Sequence, residues 1–164
     1  MKFVLKLTDA HAAFGRLLDH FRSIVLLGTR FYVGWQFWKS GWLKLSSWSS
    51  TLDLFRTEYH VPALPPDVAA VAGTFGELFF PLLLFLGLFG RAGALGAFFV
   101  NAMAVISYRQ VLLAEGYEAA RAQHILWGFM LLVLIVVGPG RISVDAWLER
   151  SAARGRPATA VPAT

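Results

Sequence analysis

The chain has 164 residues, 57% of them hydrophobic and 15% charged, with a mean hydropathy of +0.57 and a formal net charge of +5. A soluble domain carries about 25% charged residues and about 45–50% apolar ones, so this composition excludes one and describes a small integral membrane domain. The absence of cysteine excludes disulfides, CxxC redox chemistry, covalent c-type haem and thiolate metal ligation within the chain. The excess of basic residues sits beside apolar segments, which is the pattern of membrane-flanking arginines, and no nucleic-acid partner is expected. The first twenty residues hold Asp9, His11 and Asp19 and no apolar core, so no cleavable signal is expected.

From Thr8 to Phe21 the apolar residues Ala10, Ala13, Phe14, Leu17, Leu18 and Phe21 recur at helical spacing. They predict an amphipathic helix over residues 1–22, either lying in the interface or simply extending the first span. The first span is expected over Ser23–Leu43. Arg30, Gln36 and Lys39 interrupt it, and Tyr32, Trp35, Phe37, Trp38 and Trp42 thicken its second half into an aromatic belt. Arg30, Gly34, Phe37, Trp38 and Gly41 share one face, where the glycines permit close helix approach. Residues 44–66 form a connection of about 22 residues, long enough to require structure of its own. Ser50 or Thr51 can cap a short helix there carrying Leu52, Leu54 and Phe55.

Pro65 and Pro66 start the second span, with Asp67 in its first turn. Val68–Gly90 is a run of 23 residues with a single ionisable group, Glu77. At about 1.5 Å per residue it crosses a hydrocarbon core of roughly 30 Å. A lone carboxyl at that depth costs about 2.5 kcal/mol or more on insertion scales, so it must be protonated, paired or facing a polar cavity. Pro81 lies four residues on and cannot donate to the Glu77 carbonyl. One position thus offers a carboxyl and a freed backbone acceptor, either as a kinked helix with a structural ion pair or as a buried site. Ala69, Gly73 and Glu77 line one face of this span, with Ala72 and Gly76 beside it.

The third span is expected over Gly93–Leu113, with Gly93, Ala97, Asn101, Ala104 and Tyr108 as an inward stripe. The fourth, about Ala122–Val137, opens with Gln123 and His124 and stops at Gly138-Pro139-Gly140. Ser143 can cap a last short helix with Asp145 in its first turn and Trp147 and Leu148 as interface anchors. The domain plan is therefore an interfacial helix (1–22), a four-helix membrane domain (23–148) and a disordered basic tail (149–164). The fold class is an all-α integral membrane protein, an antiparallel four-transmembrane-helix bundle with a structured outer loop.

Four spans put both termini on one side. That side holds Lys2, Lys6, Arg16, Arg22, Arg91, Arg141, Arg150, Arg154 and Arg156, against Lys44, Arg56, Arg109 and Arg121 on the other. The richer side is expected to be cytoplasmic, in a bacterial inner membrane. Counting turns from the span ends puts Arg30 about 10 Å, Asn101 about 12 Å and Glu77 about 15 Å deep from their nearer faces. Arg30 and Glu77 are then the expected pair, each otherwise an unpaired charge in lipid. An outer layer is expected to hold Gln36, Lys39, Tyr108, Arg109 and His124, below Glu58, Tyr59 and His60 of the long loop. A metal site from Glu58, His60 and His124 follows no motif spacing and is the weakest candidate.

Arg30, Gly34, Gly41 and Lys44, followed by a second span with a central glutamate and the ending Leu84, Gly87, Leu88, Arg91, resemble the DoxX family of four-helix membrane proteins. The tail Gly138-Pro139-Gly140-Arg141-Ile142-Ser143-Val144-Asp145 is similar to that family's closing signature, and the resemblance covers roughly residues 21–148. The loop before Pro66 and the pair His124 and Trp127 resemble a subgroup encoded beside iron-dependent peptide-modifying enzymes and bufferin-like metal-binding peptides. The resemblance implies a membrane accessory subunit of a redox or metal- and oxidative-stress system. Some family members are subunits of thiosulfate:quinone oxidoreductases or partners of superoxide-detoxifying and sulfur-transfer proteins.

If the chain belongs to an enzyme at all, it is as part of an oxidoreductase complex with a quinone acceptor. Arg30, Gly34, Trp38, Glu77 and Asn101 would then form a quinone-sized pocket, with Arg30 and Glu77 as the catalytic candidates. Two further readings stay open: a binding or transport component for a metal or modified metal-binding peptide, and a non-catalytic scaffold. The expected partners are the lipid bilayer and either a protein partner subunit or further copies of the chain.

Overall fold

The computed structural model describes residues 1–154, apart from the side chains of residues 2–10, 16 and 20. Among these residues all regular structure is helical. Helix α1 runs Lys2–Ser46 without interruption, so the amphipathic stretch at residues 8–21 continues directly into residues 23–46 of the same helix. Nothing in the sequence between residues 20 and 24 breaks a helix, since neither proline nor glycine occurs there. Helix α2, Trp48–Thr57, fills the first half of the long connection. Its N-cap is Ser47, with no side-chain cap bond. Thr51, expected as a cap, instead donates its hydroxyl to the Lys44 carbonyl at 2.9 Å and ties α2 back to α1.

Helix α3, Pro66–Leu86, starts on proline and contains Pro81. It ends at Gly87 in the left-handed region (φ +63°), whose N–H turns back to the last carbonyls. Leu88 N–H donates to Leu83 at 3.1 Å, closing the turn. Helix α4, Gly90–Ser107, follows after three residues. It stops well short of Leu113, because the chain leaves the helix at Tyr108 and re-enters it as the single turn α5, Arg109–Leu112. Helix α6, Glu118–Val137, begins four residues before the expected start and stops at Gly138 (φ +89°), as the Gly-Pro-Gly segment requires. Helix α7, Val144–Arg154, is capped by the Ser143 hydroxyl, which accepts the Ala146 N–H at 3.2 Å. Helix therefore occupies residues 149–154 of the segment expected to be disordered; the rest of that segment lies outside the described residues.

Three of these helices, α3, α4 and α6, are long and apolar enough to cross a membrane. Around them α1 packs on α3, α3 on α4, α4 on α6, and α6 returns to α1. The core between them is Leu26, Val33, Phe37, Leu84, Ala94, Ala97, Leu131 and Leu134. Close approach comes from small residues meeting large ones. Phe80 lies over Gly96, and a Cβ added at Gly93 would stand 2.8 Å from Leu83 Cβ. A second cluster, Phe55, Ala69 and Ala70 with Trp48, Leu52, Tyr59 and Val61 around it, seats α2 on the start of α3. The outward faces remain apolar: Phe75, Phe99, Ile125, Phe129 and Val136 are all exposed. A bilayer solvates such a surface; water does not.

Candidate functional site

Glu77 is buried on α3, and the group that meets it is Lys44, in the last turn of α1. The Lys44 ammonium donates to both carboxylate oxygens, at 2.8 and 2.7 Å, and to the Ser40 hydroxyl at 2.8 Å. All three ammonium protons therefore have acceptors. Gly41 lets this happen, because a Cβ there would stand 2.9 Å from the Glu77 Cβ and from Leu78. With no side chain at Gly41, α3 comes close enough for the four-carbon lysine stem to reach inward.

Arg30 is not part of this pair, which corrects the expected ion pair with Glu77. Its guanidinium is 1% exposed and donates through Nη2 to the Ile142 carbonyl at 2.6 Å. Nε and Nη1 have no hydrogen-bond partner among the described residues. The guanidinium lies directly against Gly87, where a Cβ would collide with Nη1. Gly87 stands ten residues, about 15 Å, along α3 from Glu77, and Lys44 stands fourteen residues, about 21 Å, along α1 from Arg30. The two cations therefore serve opposite ends of the bundle.

The Arg30 end is closed by the returning tail. Asp145 accepts the N–H groups of Phe89 and Gly90, both at 2.8 Å, and so neutralises the start of α4. Its own N–H donates to the Gly87 carbonyl at 3.1 Å. The Ser143 hydroxyl donates to Gly140 at 2.6 Å, and the Arg141 N–H donates to Ser23 on α1 at 3.2 Å. Beside this closure a cleft of about 910 Å³ opens, lined among others by Asp19, Arg22, Arg91, Arg141, Asp145 and Glu149.

Asn101 is buried on α4 but does not share a site with Arg30 or Glu77. Its amide donates to the His124 carbonyl at 3.0 Å, and its oxygen lies 2.8 Å from His124 Nδ1. The His124 ring meets Trp127 edge-on at 5.0 Å. This two-way bond fastens α4 to α6.

The long loop is fastened to the end of α4 in the same manner. His60 N–H donates to Ser107 at 3.0 Å, Gln110 donates to the Glu58 carbonyl at 2.9 Å, and the Tyr108 hydroxyl donates to the Glu58 carboxylate at 3.1 Å. His60 Nδ1 stands 2.9 Å from Gln110 Nε2. Tyr59 is wedged edge-on between Phe55 and Tyr108, at 4.7 and 4.9 Å. Burial, reinforced by the negative charge of Glu77, pushes its phenol up to about 12. Burial and the Glu58 carboxylate also raise Tyr108. An exposed bidentate pair, Arg56 with Asp67 at 2.8 and 2.9 Å, holds α2 to the first turn of α3.

Measured against this geometry, the expected sites divide. Glu58 and His60 are neighbours in one network, but His124 belongs to another. No group of three His, Asp or Glu side chains among the described residues is placed to hold a metal ion. Arg30, Glu77 and Asn101 make separate contacts, with Ile142, Lys44 and His124 respectively. Phe85 fills the surface over Gly34, 2.7 Å from where a Cβ would stand, and meets Trp38 edge-on. Neither the large cleft nor a smaller one of about 390 Å³ under the loop is lined by Arg30, Gly34, Trp38, Glu77 or Asn101. Lys44, Ser40 and Asp145 are the residues that sequence reasoning did not assign to these contacts. The signal for Lys44 was its place on one helical face with Phe37 and Gly41.

Helical structure throughout the described residues, three helices among them long and apolar enough to cross a membrane, and charges tucked between them define a small integral membrane protein. The DoxX family matches residues 25–110, more than half of the chain, and the chain belongs to that family. An uncharacterized protein of Haemophilus influenzae is 25% identical over 134 residues, 78% of this chain and 85% of that protein. No solved structure matches. The Gly138–Asp145 tail that closes over Arg30 lies beyond the matched residues.

Proposed function

We propose that the chain is a membrane accessory subunit that organises partner proteins, with α1 as a fourth crossing and the four long helices antiparallel. Both termini then face the cytoplasm of a bacterial inner membrane, as the distribution of lysine and arginine supports. The observation that carries this reading is the Lys44–Glu77 bond. The carboxylate in the second span is held by both oxygens and is not left free to exchange protons with a substrate. Arg30, likewise, faces Gly87 and the Ile142 carbonyl instead of a cavity. The buried charges hold helices and tail together, and the cleft at the inner end is the opening left for a partner. The system served is a redox or metal- and oxidative-stress system, which is what the DoxX relationship implies.

Affinity purification in mild detergent, with identification of co-purifying proteins and of extracted small molecules, tests this directly. The expected result is a stoichiometric protein partner that is retained by a Lys44→Met/Glu77→Met double variant. Retention of quinone by the purified protein, lost in that variant, would contradict it.

A further inference from the structure

Along α1, Phe14, Leu17, Phe21, Ile24, Gly28, Phe31 and Trp35 follow one another at alternating intervals of three and four residues. In the sequence the same spacing extends back through Ala10 and Leu7 to Phe3. A sustained repeat of 3.5 residues is the spacing at which one helix packs along another. Most of this seam lies across the helix from the bundle; Phe31, at its flank, also stacks on Phe85 of α3 at 5.1 Å. Leu26, Arg30, Val33, Gly34, Phe37 and Gly41 are the buried positions among the described residues of α1, whereas Phe14, Leu17, Phe21, Ile24 and Trp35 are each more than half exposed. At Gly28 no atom lies within 4 Å of where a Cβ would stand.

Lipid covers only part of this seam. Helix α1 has 45 residues, about 67 Å of helix, against a hydrocarbon core of roughly 30 Å. About twenty residues before Ser23 therefore project from the membrane. To lie down on the lipid surface they would need a break near residue 22, and α1 has none. Phe14, Leu17 and Phe21 are left facing water.

We propose that this face is covered by α1 of a second copy of the chain, in a parallel two-fold pair. Two copies inserted in the same orientation carry identical residues at identical depths. Their α1 helices therefore meet parallel and in register, and each seam residue finds its own counterpart, as a two-fold interface demands. Half-exposed side chains of this size hide roughly 100 Å² each, so the seam from Phe14 to Trp35 with Leu18 beside it covers roughly 1,400 Å² over both copies, within the range of stable interfaces; roughly 800 Å² of it, at Phe14, Leu17, Leu18 and Phe21, leaves water, and the rest is packing inside lipid. Gly28 lets the two backbones approach inside the membrane. The pairing rests on the reading of α1 as the first crossing.

The cysteine-free chain supplies its own background for a cross-linking test in native membranes. Single variants Phe14→Cys, Leu17→Cys and Phe21→Cys are expected to give a disulfide-linked homodimer under mild oxidation, because bridging needs Cβ atoms about 3.5–4.5 Å apart. Ala12→Cys and Asp19→Cys, across the helix, are expected to stay monomeric. Equal yields at all five positions, no dimer at the three seam positions, or linkage to a different protein there would overturn the proposal. Labelling of Ala12→Cys with an impermeant maleimide reports the crossing separately. Access from the cytoplasmic face alone supports the orientation, and access from the opposite face alone removes the orientation without touching the cross-linking pattern. A Phe14→Glu/Leu17→Glu/Phe21→Glu variant, altered only where α1 projects, is expected to run as a folded monomer in detergent, with a thermal midpoint that no longer depends on protein concentration. A dimer that survives it would also overturn the proposal.

Discussion

Lys44 and Arg30 both leave α1 for the interior of the bundle, yet they are held in opposite ways. Lys44 meets a carboxylate through two short bonds and a hydroxyl through a third. Arg30 meets one backbone carbonyl, and two of its buried nitrogens have no partner among the described residues. The difference teaches which charge fixes the fold. A closed ion pair makes each partner indispensable to the other, because removing one strands the other in a medium that cannot solvate it. A guanidinium that ends on a carbonyl strands nothing comparable when removed.

The largest effect is therefore expected from Lys44→Met. It leaves the Glu77 carboxylate buried and unpaired, and thermal unfolding in detergent should show a loss of about 3–5 kcal/mol. A loss below about 1 kcal/mol would mean that Glu77 is protonated or has another partner. Gly87→Ala comes next, because it puts a Cβ into the Arg30 guanidinium at a left-handed backbone position. The backbone cost alone is about 1–2 kcal/mol, and loosening of the tail should expose residues 138–145 to protease. Asp145→Ala removes both acceptors at the start of α4 and should cost about 1–2 kcal/mol by the same assay. Arg30→Met is expected to change stability least, to within about 1 kcal/mol, since the lost bond is offset by relief of two unsatisfied donors. A fall as large as that of Lys44→Met would show that Arg30 has a partner of its own in the membrane.

Much of this architecture was legible in the sequence because it depends on local chemistry. The apolar run after Asp67, with Glu77 as its single ionisable group, reads directly as a crossing helix, and α3 occupies it. Gly138 ends α6 and Ser143 caps α7 for reasons contained within a few residues. The partner of Glu77 is not legible, because relative depth on two separate helices depends on where each begins and a one-turn error on each adds up. Lys44 also reads as the first residue of the loop, whereas it lies in the last turn of α1 and its flexible stem reaches back. Asn101 reads as inward and His124 as an outer-layer residue at a helix entrance; only packing decides that they meet each other. The early end of α4 at Tyr108 has the same origin. Tyr59 and Glu58 take Tyr108 into the loop network, a tertiary choice that no periodicity announces.

A pair of double-mutant cycles, Glu77→Gln with Lys44→Met and Glu77→Gln with Arg30→Met, read by thermal unfolding in detergent, is the most direct test. Strong coupling between Glu77 and Lys44, on the order of 2–3 kcal/mol, together with none between Glu77 and Arg30, is the outcome expected here. Coupling to Arg30 with independence from Lys44 would contradict it.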